Sequence, residues 1–80
     1  MKDMKDRLLS LNPRLPHSEV QRAIAGGEEY SMQFDRLPQH DKEAVTFFFA
    51  AYALSQSPHY KMQIRRGIDF VLAPFYPGAR

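Results

Sequence analysis

The sequence contains no cysteine and no tryptophan. Without cysteine there are neither disulfides nor thiolate metal sites, two of the staples with which small domains offset a thin core. Long apolar runs are missing as well. No segment approaches the roughly 18–20 continuous apolar residues of a membrane span. Met1 to Arg7 is charged and lacks the apolar stretch of a signal peptide, so a cytoplasmic location is expected. Net charge is small, at a formal +2, and bulk charge of that size does not by itself draw a protein to nucleic acid.

What is present is aromatic. Six phenylalanines and four tyrosines occur in 80 residues, and each large ring buries roughly 150–250 Å². A chain this short buries only about 60–65% of the surface its unfolded form exposes. Packing of these rings must therefore supply most of the stability. Their abundance argues for a folded core over disorder.

Met1, Met4, Leu8 and Leu11 recur at helical spacing between charged residues, and Asn12-Pro13 ends that run, since the residue before a proline avoids helix. Leu15-Pro16-His17-Ser18 leads to a second helix in which Ser18 is the expected N-cap. Val20, Ala23 and Ile24 form its inward stripe, and Gly26-Gly27 reads as its stop. Residues 28–37 fit either period: Tyr30, Met32 and Phe34 alternate as in a strand, whereas Tyr30, Phe34 and Leu37 fit a helix face. A short helix or irregular segment is preferred there.

Pro38 suits a first helical position. Beyond it Ala44, Val45, Phe47, Phe48, Phe49, Ala51 and Tyr52 cover about half the helical circumference, with Lys42, Glu43 and Thr46 on the remainder. An arc that wide exceeds the stripe of a surface helix, so this helix should be central and touched from several sides. Ser57-Pro58 is a cap followed by a first-turn proline, and Tyr60, Ile64, Ile68, Val71 and Phe75 continue as a helical stripe until Pro74 intervenes. Phe75-Tyr76-Pro77-Gly78 reads as a turn-like tail. The expected fold is thus a single all-α domain over residues 1–80, with three to five short helices around the aromatic one. An α+β fold with a C-terminal hairpin at about 59–73 is the alternative, because Tyr60, Met62 and Ile64, then Ile68, Phe70 and Leu72, alternate on either side of Arg66-Gly67.

Catalytic patterns are missing too. The three histidines, His17, His40 and His59, lie far apart in sequence and each sits near a proline at a helix start. That placement suits a first-turn polar residue better than a metal ligand. There is no GxSxG and no GxxxxGK[ST] loop. Glu28-Glu29 and His40-Asp41 are sequence neighbours whose side chains diverge. Neither an enzyme nor a cofactor or metal site is expected. A helix-turn-helix reading aligns Ala23 with the small-residue position and Gly27 with the turn glycine. It then puts Arg22, Gly26 and Glu28 where apolar packing is needed, and opens the recognition segment with two glutamates that phosphates repel.

Two groups of residues remain as candidate contact surfaces. Lys61, Arg65 and Arg66 form a basic patch on the last helix, suited to phosphates or to an acidic protein surface. Phe47, Phe70, Phe75 and Tyr76 are the rings most able to face another protein or a second copy of the chain, since interfaces favour Tyr, Phe, Met and Arg. The leading expectation is a non-enzymatic protein-binding module, an adaptor, regulator or inhibitor that occupies a partner's surface. Many phage- or plasmid-encoded inhibitors have this size. Self-association as a homodimer would relieve the small-domain shortage of core. The second expectation is a nucleic-acid-binding regulator that uses the basic patch. No membrane partner is expected.

Overall fold

Three of the four helices begin at a proline. The computed structural model describes residues 4–77 as α1 (Met4–Leu11), α2 (His17–Ser31), α3 (Gln39–Leu54) and α4 (Pro58–Leu72), with no strand among the described residues. Met1 of the first stripe and Gly78 of the tail lie outside them. Pro16 and Pro38 are N-caps rather than first helical residues, at φ/ψ of −63°/136° and −59°/155°. A proline needs no partner for an N–H it lacks, and its carbonyl still accepts the first helical bond, from Val20 in α2 and Lys42 in α3. Ser18, expected as the cap of α2, lies one residue inside the helix instead. At α4 the expectation holds: Ser57 Oγ accepts from the Tyr60 N–H at 3.3 Å, and Pro58 occupies the first turn.

The C-terminal hairpin does not form. α4 runs unbroken from Pro58 to Leu72, because its apolar residues meet α3 at helical spacing and Gly67 faces the Phe48 ring. Nor does Gly26-Gly27 end α2, which continues for a further turn to Ser31. The glycines act here as surfaces. A Cβ on Gly27 would stand 2.6 Å from the Thr46 carbonyl oxygen, and one on Gly26 would stand 3.2 Å from the Phe49 ring. Only a hydrogen atom fits between the backbones at Gly27, so the pair lets α2 and α3 approach closely. After Ser31 the chain descends through tight turns, with Phe34 N–H bonded to the Ser31 carbonyl and Leu37 N–H to the Phe34 carbonyl. Residues 32–37 are the expected irregular segment.

α3 is the hub. α2 and α4 pack antiparallel along it and α1 lies across its C-terminal half, while α1 and α4 do not reach one another. Two apolar clusters result. Leu8, Val20, Ala23 and Ala50 join α1, α2 and α3 at one end, and Leu37, Val45, Ile68 and Leu72 join α3, α4 and the α2–α3 turn at the other. The fully enclosed residues of α3 are Val45, Thr46 and Ala50, and all three of Phe47, Phe48 and Phe49 are only half-buried. Consecutive residues diverge by about 100°. The rings accordingly go to different neighbours: Phe47 to the Leu8 cluster, Phe48 onto Gly67 of α4, and Phe49 against Tyr30 of α2 at 5.0 Å between centroids.

Thr46 corrects the sequence reading most sharply. Placed by pattern on the polar remainder of α3, it is 4% exposed. Its hydroxyl lies 2.8 Å from the Lys42 carbonyl and 3.0 Å from Ser31 Oγ, and Ser31 donates in turn to the Glu28 carbonyl at 3.0 Å. Two small polar side chains thereby satisfy each other inside the α2–α3 contact, where a lone hydroxyl would be costly.

Candidate functional site

Because α1 and α4 both lie on α3 without touching, an open groove remains between them over the C-terminal half of α3. Its volume is about 510 Å³. Ala51 and Leu54 form the floor, Leu8 and Leu11 of α1 one wall, and Tyr60 and Ile64 of α4 the other. Asn12, Leu15 and the α3–α4 turn, Ser55-Gln56-Ser57, close the end. No lining residue is charged. That size falls among the roughly 300–1,000 Å³ clefts that enclose compact apolar ligands.

Local sequence builds each wall. Asn12-Pro13 stops α1, which ends with Leu11 beside the groove, 69% exposed. Ser55-Gln56-Ser57 turns the chain through a net of serine contacts, in which the Ser57 N–H bonds to Ser55 Oγ at 3.2 Å. The Ser57 cap then starts α4 directly at the groove, with Tyr60 62% exposed on its lip. On the floor Ala51 keeps the surface low. Phe70 lies ten residues beyond Tyr60, about 15 Å along the axis of α4 and outside the groove lining, and is 82% exposed.

The sequence-predicted contact rings separate into two kinds. Phe70 stands free in solvent. Phe47 packs against the Leu8 cluster, half-buried. Phe75 and Tyr76 belong to the second cluster and are engaged within the chain. Tyr76 accepts the Arg36 N–H at 2.9 Å, donates to Asp35 Oδ1 at 3.3 Å, meets Phe34 edge-on at 5.4 Å and lies under the Arg36 guanidinium at 5.4 Å. The tail is thus clasped to the α2–α3 turn.

The basic patch is also divided. Lys61 Nζ sits 5.1 Å from the centre of the Tyr52 ring, a cation–π contact that holds it against α3. Arg65, one turn on, shares that flank, whereas Arg66 is turned roughly 100° further around the helix, about 160° from the lining residue Ile64. The three cations therefore do not form one continuous face.

Leu11, Ala51, Leu54 and Tyr60 were not singled out by sequence reasoning. Leu11 and Tyr60 read as inward members of their stripes, and only the separation of α1 from α4 exposes them. The wide apolar arc of α3 was the available signal, since it promised more neighbours than three helices supply. Among the described residues, no three His, Cys, Asp or Glu side chains come together as a metal site, and no helix is long and apolar enough to cross a membrane. His59 meets Gln63 at 3.2 Å on the surface of α4. No protein-family model, curated protein or solved structure matches the chain.

Proposed function

We propose that the chain is a non-enzymatic protein-binding module, an adaptor, regulator or inhibitor whose α1–α4 groove receives apolar side chains of a partner. The single observation that supports this reading is the groove itself: uncharged, open, and lipped by Leu11 and Tyr60, both more than half exposed. Large apolar side chains held at the edge of a cleft are a recognised mark of an interaction site. A fourth neighbour of α3, supplied by another molecule, would complete the enclosure that its wide apolar arc implies.

The partner element that fits is a helix. An all-helical surface offers no free sheet edge for strand addition, whereas an apolar furrow between helices takes the apolar face of another helix, anchored at i, i+3 or i+4, and i+7. The test is selection of peptides displayed on phage against the folded chain. Selected sequences should carry apolar residues at that helical spacing and lose binding to the Leu11→Lys variant. Binders without the periodicity, or binders indifferent to Leu11→Lys, would refute the groove as the site.

A further inference from the structure

The charge around the groove says which helix it takes. Between Glu28 and Glu43 five carboxylates stand against two cations, and in the rest of the described chain seven cations stand against three carboxylates. The acidic stretch forms the last turn of α2, the α2–α3 turn and the first turn of α3, which is the end opposite the groove. At the groove the balance reverses. Arg7 lies one turn before Leu11 on the same face of α1, and Arg14 lies between the lining residues Asn12 and Leu15. Both are exposed.

Backbone charge points the same way. α1, α2 and α3 each carry a carboxylate in the first turn, Asp6, Glu19 and Asp41, which neutralises the positive end of the helix dipole. α4 has none, and its capping Ser57 and first-turn Tyr60 line the groove. A helix N-terminus without an acidic residue, two arginines and an uncharged apolar floor thus share one end of the molecule.

We infer that the groove binds an acidic amphipathic helix: an apolar face that seats on Ala51, Leu54 and Ile64, flanked by glutamates or aspartates that meet Arg7, Arg14 and the start of α4. The inference rests on the groove reading above and adds the chemical class of the partner. The α4 wall runs from Ser57 to Ile64, about 10 Å at the helical rise, so the partner segment presents two or three apolar anchors over about two turns. Charges at such a rim act mainly on association rate and partner choice, with the apolar seat supplying the affinity.

The test uses two fluorescent peptides of about 14 residues, each held helical by a side-chain lactam because free helices of that length are marginal in water. Both carry the same leucine face. One is flanked by glutamate and the other by lysine. The account expects the glutamate peptide to bind about ten-fold or more tightly at low salt, with the difference shrinking as salt screens the rim. Arg7→Glu with Arg14→Glu should erase that preference without changing the helical circular dichroism, since both side chains are exposed. Equal affinities would overturn the acidic partner and leave the groove reading standing. Binding of either peptide unaffected by the uncharged change Leu11→Ser would overturn both. A concentration-dependent dimer that excludes the peptides would assign the groove to a second copy. A short DNA duplex that displaces the peptide and is lost with the arginines would assign the cations to phosphate. Either result overturns the inference.

Discussion

Gly27 of α2 and Thr46 of α3 stand so close that a Cβ on the glycine would lie 2.6 Å from the threonine's carbonyl oxygen. That oxygen belongs to a helical backbone and cannot yield cheaply. Helix propensity alone would make Gly27→Ala a gain of about 1 kcal/mol. Overpacking of a closed contact costs about 1–3 kcal/mol and should prevail, because the α2–α3 contact anchors both apolar clusters. Urea unfolding should show a net loss for Gly27→Ala.

Gly67 is the control. Its added Cβ would meet the Phe48 ring at 3.7 Å, ordinary van der Waals contact, in the middle of α4. Gly67→Ala should therefore stabilise by about 0.5–1 kcal/mol through helix propensity and a less flexible unfolded chain. A pair of glycine-to-alanine changes with opposite signs would separate packing glycines from merely tolerated ones.

The two serines that read as caps in the sequence allow a second such contrast. Ser57 Oγ receives the Tyr60 N–H, whereas Ser18 lies past the Pro16 cap of α2. Ser57→Ala should cost about 1 kcal/mol. Ser18→Ala should stay within about 0.5 kcal/mol of the parent, as surface changes do. Thermal unfolding of both variants measures the difference.

Thr46 and Ser31 predict non-additivity. Thr46→Val removes a buried hydroxyl 3.0 Å from Ser31 Oγ and should cost about 1 kcal/mol. Adding Ser31→Ala should cost less in that background than in the parent, since the serine has already lost its partner. A double-mutant cycle that gives simple addition would contradict the pairing.

These contacts also show which features were legible in the sequence. Asn12-Pro13 and Ser57-Pro58 act on their own neighbours, so the end of α1 and the start of α4 could be read locally. The breadth of the Ala44–Tyr52 arc correctly implied that α3 would be central. Gly26-Gly27 could not be read that way. A glycine pair is an equally good helix stop or helix–helix contact, and what decides is the Thr46 carbonyl nineteen residues later. Thr46 was misplaced for the same reason, because its environment is made by α2 and not by its own helix. The groove was hidden because it is a gap: Leu11 and Tyr60 are exposed by the distance between α1 and α4, which no pattern within either helix records.

The most direct test of the account is a methyl-resolved NMR titration of the protein with the glutamate-flanked helical peptide. The account predicts chemical-shift changes concentrated at Leu8, Leu11, Leu15, Leu54 and Ile64, the methyls of the groove, while Leu37, Val45 and Leu72 at the far end stay still. Absence of shifts at the first group, or shifts centred on the second, would contradict it.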